Sequence, residues 1–359
     1  MLEKSLKPLR RNFPNMRLLI IAQKVDKNDP ILGFFHGWIA AFAQKFKSVV
    51  VICLFRGLFD LPDNVAVLSL GKEKWKSKFK YIFLLFYFSL RYFNRYDAVL
   101  VHMNEEYPVL AGWLWRLMGK KVYMWRNHHA GNRMTDVAAF FCNKVFCTSK
   151  YSYTAKYKKT ILMPLGINTE VFKVDTSVQR VARSILSLGR IAPSKNLDIL
   201  IDACGVLKKQ GITFSLHIYG DALPKDVQYL ESLKTQVKKH GMEQSVTFHP
   251  GIPNTSTPQV YSSHDMFVNV SSNGMYDKTI AEAMACGCLS LASNNNLLGQ
   301  VDDRLIIKDR TVAEVAASLA TALNVSSEEK VKMIRDCQKF AQKQSLSTLT
   351  ETLYSIIRS

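Results

Sequence analysis

The sequence predicts an α/β protein made of two doubly wound, parallel-sheet domains facing a cleft. Three observations carry this. The chain has 359 residues, 48% of them apolar, which is enough for two cores of ordinary size. Short, continuous apolar runs alternate with helical stretches, the pattern of parallel strands buried on both faces. The alternating series also starts twice, once on either side of a polar stretch at residues 173–177.

In the first series, residues 17–22 (RLLIIA), 49–54, 97–103, 121–125, 142–149 and 160–164 read as strands. A helix is expected over 36–46, after a loop that carries Pro30 and Gly33, and another between the strands at 97–103 and 121–125. The second series has strands at 184–188, 214–219, 245–248, 266–270 and 289–292, with helices at 197–208, 227–240 and 280–286. The remainder reads as helices only, over 312–323, 327–343 and 346–357. The expected division is thus residues 1–172, residues 173–344 and a terminal helix over 345–359.

Charge separates the two halves. The chain carries 48 Lys and Arg against 29 Asp and Glu, a formal +19. Residues 1–172 account for +16 and residues 173–359 for only +3. An acidic partner is therefore expected mainly on the first half. No nucleic-acid module is recognisable, so no nucleic-acid partner is expected. Residues 72–96 concentrate the feature: Lys72, Lys74, Lys76, Lys78 and Lys80 precede an aromatic run, and Arg91 and Arg95 follow it. Phe79, Ile82, Phe83, Phe86, Leu90 and Phe93 recur at helical spacing. Two readings stay open, a helix lying in an anionic membrane interface and a core helix that is apolar all round over 81–88.

No run reaches the length of a membrane span, and the start offers only a five-residue apolar stretch, 18–22, too short for a secretory leader. Seven scattered cysteines suggest reduced thiols rather than a disulfide framework. The expected location is cytoplasmic, peripheral on the inner face of the cell membrane.

Neither series opens on G-x-G-x-x-G, and there is no P-loop, which argues against a dinucleotide-binding dehydrogenase. No D-x-D occurs, and no metal or other cofactor is expected. Gly189-Arg190-Ile191-Ala192-Pro193-Ser194-Lys195-Asn196 does stand out, directly after a strand and before a helix. There Arg190 and Lys195 would meet a diphosphate as a bidentate guanidinium and a point-charge ammonium; the alternative is a solvated basic turn. Residues 271–287 (SSNGMYDKTIAEAMACG) form a second constellation, a strand end, a glycine loop and a short helix. Glu282 is placed in the first turn of that helix, to accept from ribose hydroxyls, or to close a capping box with Thr279.

These two segments, together with Pro164-Leu165-Gly166-Ile167-Asn168-Thr169-Glu170-Val171-Phe172, resemble the GT-B retaining glycosyltransferases of family 4, also called glycosyl transferases group 1. The resemblance is clearest in the C-terminal half and covers most of the chain. It implies two Rossmann-like domains, with a nucleotide-sugar donor held mainly by the second. Arg190 and Lys195 would neutralise its diphosphate, Glu282 would bind its ribose, and Gly33 would bring backbone close to its phosphate. His128, in the strand-end run Trp125-Arg126-Asn127-His128-His129-Ala130-Gly131, would be the catalytic residue beside the donor sugar. Adjacent in extended chain, His128 and His129 would point to opposite sides, against a joint metal site. The terminal helix would return to the first domain. The family usually has a second Glu eight residues before that at 282; here that place is Gly274, followed by Asp277, Lys278 and Thr279 in the donor-sugar loop. The implied activity is retaining transfer of a sugar to a glycan or lipid-linked acceptor near the membrane surface, as in polysaccharide or lipopolysaccharide synthesis. The alternative left open is a catalytically inactive GT-B scaffold that binds a nucleotide sugar without turnover.

Overall fold

The structure, a computed structural model, describes residues 15–29, 32–271 and 274–359. The basic start up to residue 14, Pro30 of the loop before Gly33, and Ser272 and Asn273 of the 271–287 segment lie outside the described residues.

The first sheet has seven strands in the order β3-β2-β1-β4-β5-β6-β7. Its elements run β1 (Arg17–Val25), α1 (Gly33–Ala43), β2 (Ser48–Arg56), β3 (Val65–Ser69), α2 (Lys78–Arg91), β4 (Ala98–His102), α3 (Glu106–Leu117), β5 (Lys121–Trp125), α4 (Arg133–Phe141), β6 (Lys144–Cys147) and β7 (Thr160–Leu162). β1 pairs in parallel with both β2 and β4, which places it at the centre. Leu18, Leu19, Ile20 and Ile21 are all fully buried, so both faces of the strand are covered and the apolar run cannot alternate. Asp97 accepts the Arg17 backbone amide at 2.9 Å and pairs with its guanidinium, which fastens the start of β1 beside that of β4.

The second sheet has five strands in the order β10-β9-β8-β11-β12. Its elements are β8 (Val181–Leu188), α5 (Leu197–Lys209), β9 (Ser215–Tyr219), α6 (Val227–Lys239), β10 (Val246–His249), α7 (Thr257–Ser263), β11 (His264–Asn269), α8 (Lys278–Ala285) and β12 (Leu289–Ala292), followed by α9 (Val312–Leu323), α10 (Ser327–Lys343) and α11 (Leu346–Arg358). Two doubly wound parallel sheets are therefore present, as the alternation predicts.

Packing divides the chain into two compact units. One comprises the residues up to Arg126, Asn132–Val145 and Thr350–Ser359; the other comprises Asn127–Gly131 and Phe146–Leu349. The polar stretch at 173–177 lies inside the second unit. In the first unit Lys45 pairs with Glu351, and the rings of Phe46 and Tyr354 lie 5.3 Å apart. In the second, residues 164–172 serve the turn after α10: the amides of Gly166 and Ile167 donate to Gln344 O at 2.9 and 3.1 Å.

Some elements differ from expectation. β3, α4 and α7 are additional, and α1 begins at Gly33 rather than near residue 36. In α2 only Leu85 and Ser89 are buried, so the helix is not the all-round core helix of the second reading. Ser89 anchors it: its hydroxyl accepts from Trp115 Nε1 at 3.2 Å, and its carbonyl accepts from Tyr96 Oη at 2.8 Å. The stripe picked out by periodicity faces out only in part: Phe79 is 86% exposed, Phe83 68% and Leu90 56%, whereas Ile82 and Phe86 are half-buried. Tyr87, outside that periodic set, is 48% exposed. All seven cysteines are buried and none is in a disulfide. Among the described residues no helix is long and apolar enough to cross a membrane.

His264 opens β11 in a buried histidine group. Its ring is 4.9 Å from that of His217, which lies 3.1 Å from His249 Nε2 through its own Nδ1. Burial lowers His264 to about 4, against the opposing contact with Val260 O; His217 and His249 are also lowered by burial. The unfolded chain thus takes up protons that the folded chain refuses. Stability is expected to fall as pH drops from about 6.5 towards 4, with His264 accounting for about 3 kcal/mol. Urea unfolding across that range should show the loss, and His264→Gln should flatten it.

Candidate functional site

β8 stands at the centre of the second sheet, with β9 on one side and β11 on the other. The strand order reverses between β8 and β11, and doubly wound sheets bind ligands at such a point, beyond the carboxyl ends of the strands. A shallow, open pocket lies there, lined by Gly189, Arg190 and Lys195 from the exit of β8 and by Asn269 and Ser271 from the exit of β11.

Close backbone approach shapes this exit. Gly189 has φ +143° and Gly220 φ +155°, and a Cβ on Gly220 would fall 1.9 Å from Gly189 O. No L side chain fits between the two loops. Gly189 N–H donates to Tyr219 O at 3.0 Å and Ile191 N–H to Asp221 O at 3.0 Å, so the loop is tied along its length. Asn196 then takes the left-handed conformation at φ +50° before α5, and its Nδ2 donates to Val270 O at 2.8 Å.

Arg190 is exposed and makes no ion pair among the described residues. Lys195 differs: its half-buried ammonium is paired with Asp277, and Ser271 Oγ lies 3.4 Å away. Asp277 has further partners. Its Oδ2 accepts from Asn269 Nδ2 at 3.1 Å, and its Oδ1 accepts from Thr279 N–H at 3.4 Å as the N-cap of α8. Burial pushes this carboxyl up, but the Lys195 charge and its hydrogen bonds outweigh that and hold it below the usual range.

The capping box between Thr279 and Glu282 does not form. Asp277 is the cap, which places Thr279 inside the helix, where its buried hydroxyl has no partner among the described residues. Glu282 consequently belongs to the second turn and points inward. It is 7% exposed, with Tyr261 Oη 3.4 Å from its Oε2 and Lys278 one turn before it. Burial raises Glu282, partly offset by the charge of Lys278, and burial lowers Lys278 in turn. Glu282 is not among the residues lining the pocket.

Gly274 has a steric explanation. A Cβ there would come within 3.1 Å of the Tyr151 ring. Its carbonyl is held by Ser149 Oγ at 3.0 Å and Asn296 Nδ2 at 2.6 Å, so the loop cannot easily retreat. A carboxylate side chain at 274 would require Tyr151 to move.

His128 is exposed and belongs to the second unit, where its carbonyl accepts from Tyr153 N–H at 2.9 Å. Its Nδ1 accepts from Ala130 N–H at 3.0 Å, and no hydrogen bond joins it to Arg190, Lys195 or Asp277. The expectation that His128 and His129 point apart fails: the chain turns there, and the two rings stack 4.5 Å apart. Among the described residues no cluster suited to a metal ion is found. Gly33 lies in the other unit, in the first turn of α1 rather than a loop, and its N–H is already donated to Asp29 O at 2.9 Å.

The structure therefore brings together Gly189, Arg190, Lys195 and Asp277. Gly220, Asn269 and Tyr261 were not singled out by the sequence reasoning. Gly220 does carry a signal, a glycine directly after an apolar strand; Asn269 and Tyr261 carry none. Asp277→Ala removes a cap and strands a half-buried ammonium, at a cost of about 2 kcal/mol. Asp277→Asn keeps the cap and should lose markedly less. Denaturant unfolding of the two variants beside wild type checks this.

Residues 173–344 match the model of the family described as glycosyl transferases group 1. The mannosylfructose-phosphate synthase of Agrobacterium fabrum is 31% identical over 147 residues, 38% of this chain and 32% of that protein. The alpha-monoglucosyldiacylglycerol synthase of Streptococcus pneumoniae is 26% identical over 162 residues, 42% of this chain and 35% of that protein. The chain thus spans about a third of the length of these two relatives. The crystal structure of HepE from Anabaena, in complex with UDP and glucose, is similar with a TM-score of 0.73 at 18% identity, over 96% of this chain and 100% of that one. At such identity the likeness concerns the fold. Residues 173–344, which lie wholly in the second unit, match the glycosyl transferases group 1 family, and the chain has the GT-B fold.

Proposed function

We propose that the protein moves a sugar, with retention, from a nucleotide-sugar donor to a glycan or lipid-linked acceptor near a membrane surface. The observation that carries this reading is the pocket at the reversal point of the second sheet, with Arg190 unpaired and Lys195 held ready by Asp277. A diphosphate entering there meets a guanidinium fork and competes with Asp277 for the ammonium. The bond between C1 of the sugar and the diphosphate oxygen breaks, and the diphosphate leaves with the electron pair. Arg190 and Lys195 stabilise the charge that develops on it. The acceptor hydroxyl bonds to C1 on the face that the diphosphate leaves, and its proton is lost. Glu282 takes the ribose hydroxyls, which requires its inward carboxylate to become accessible on binding. His128 hydrogen-bonds the sugar.

The complex of HepE makes UDP the first probe of the donor site. Lys195→Ala should weaken UDP binding by at least about tenfold, and Glu282→Ala should weaken it too; retention of full affinity by both sinks the donor assignment. His128→Ala should lower turnover by about a hundredfold with little change in donor affinity. Gly274 favours the inactive-scaffold reading, and donor binding with neither transfer nor hydrolysis would support it.

The membrane side of the proposal rests on α2. Phe79, Phe83, Tyr87 and Leu90 form an outward apolar stripe, and the exposed Lys76, Lys78, Lys80, Arg91 and Arg95 flank it. Aromatics enter the interface while each cation near an anionic surface contributes about 1 kcal/mol. The name of the Streptococcus pneumoniae relative, a diacylglycerol glycoside synthase, supports a lipid-borne acceptor. Vesicles containing phosphatidylglycerol should bind the protein and neutral phosphatidylcholine vesicles should not. Added salt should weaken that binding, and Phe79→Ser with Phe83→Ser should reduce it by at least about tenfold. Indifference to lipid charge would remove this part of the proposal.

A further inference from the structure

A second open pocket, of about 280 Å³, lies in the same unit, lined by Tyr151, Gly274, Ser293, Asn295, Lys308 and Arg310 together with Ile307. No carboxylate lines it. Ile307 is 1% exposed and its N–H donates to Ala292 O at 3.0 Å, while Ile306 bridges Ala292 in parallel. The segment carrying the two cations is therefore fastened to the end of β12. Lys308 and Arg310 both line the pocket and the intervening Asp309 does not.

Like Arg190, these two cations differ from the paired ones in the unit. Lys195 is paired with Asp277, Lys330 with Asp265 at 2.6 Å, and Arg304 with Asp302 and Glu329 at 2.9 Å each. Lys308 and Arg310 are exposed and make no ion pair or side-chain hydrogen bond among the described residues. Their surroundings are neutral donors and acceptors: the Ser293 hydroxyl, the Asn295 amide and the Tyr151 phenol. A planar fork and an ammonium beside such groups match the geometry of a carboxylate or phosphate.

The two pockets share a wall. Ser293, which lines this one, donates through Oγ to the carbonyl of Ser271 at 3.1 Å, and Ser271 lines the first. Gly274 leaves this wall without a side chain, and Tyr151 covers it. In a nucleotide sugar the group that follows the diphosphate is the sugar. We propose that Lys308 and Arg310 form a second site, adjoining the donor pocket, for an oxyanion carried by one of the two sugars. It is a carboxylate on the donor sugar or a phosphate on the acceptor. This rests on the donor-site reading above, and it adds that one sugar ligand is acidic.

The test uses the full chain, wild type beside Lys308→Ala with Arg310→Ala, and beside the charge-keeping pair Lys308→Arg with Arg310→Lys. Binding is measured at saturating UDP for inorganic phosphate, glucuronate, a hexose 6-phosphate and neutral glucose, and separately for UDP-glucuronic acid against UDP-glucose. Wild type should bind at least one of the anionic sugars well above glucose. The alanine pair should lose about tenfold of that affinity, with UDP binding and the thermal midpoint unchanged, and the charge-keeping pair should retain most of it. Preference for UDP-glucuronic acid that disappears in the alanine pair identifies the donor carboxylate. Hexose 6-phosphate binding that disappears identifies the acceptor phosphate. Equal binding of every anion by wild type and the alanine pair, or no anion bound above glucose, overturns the site. Failure of wild type to bind UDP sinks the donor reading instead, because phosphate binding at Lys308 and Arg310 is scored against its own variants.

Discussion

The ion pair of Lys195 with Asp277 joins three parts of the second unit at one point. Lys195 comes from the turn that leaves β8, and Asp277 caps α8. Asn269, from the end of β11, donates to the same carboxylate. The exits of the two strands flanking the reversal point and the start of the following helix are thus held by a single acidic group. An isolated half-buried carboxylate would be costly; here Lys195, Asn269 and the Thr279 amide together share the charge. The pocket at the reversal point takes its shape from this junction, and its resting electrostatics as well, since one of its two cations is already neutralised.

That arrangement gives the pocket a built-in exchange. An ammonium has three donors, and Lys195 directs them to Asp277, to Ser271 and to the open pocket. In the reading proposed above, a diphosphate would meet an ammonium that is already partly desolvated. Arg190, unpaired at the rim, is the group available to a ligand on approach. Glu282 and Lys278 lie in the same helix that Asp277 caps.

Charge in this protein separates by scale. The +16 of the first half is a diffuse surface property; in α2 cations flank a stripe of exposed aromatic and aliphatic side chains. The donor pocket depends on two named cations and one carboxylate. Lys308 and Arg310 form a third pattern, two exposed cations on either side of Asp309 that make no ion pair among the described residues, in a half with a net charge of only +3.

Much of the fold was legible because strands buried on both faces leave long apolar runs, as at Leu18–Ile21, and no tertiary information is needed to see them. β3 was less legible: its apolar run, Val65–Leu68, is only four residues long, and as an edge strand it is only partly covered. The Gly189 to Lys195 turn was legible as well, because a glycine with two cations between a strand and a helix is a local pattern. The orientation of α2 was not: periodicity establishes that one face is apolar, but only the position of Ser89 against Trp115 and Tyr96 decides which face meets water. The partner of Lys195 lies 82 positions away, and the reason for glycine at 274 is the ring of Tyr151, more than a hundred positions earlier. What the sequence by itself determined was the alternation of most strands and helices and the Gly189 to Lys195 turn between them, because these depend on neighbours along the chain. Which charges are paired, which glycines are obligatory and which apolar face is exposed were decided by the tertiary structure alone, because each depends on contacts between residues distant in sequence.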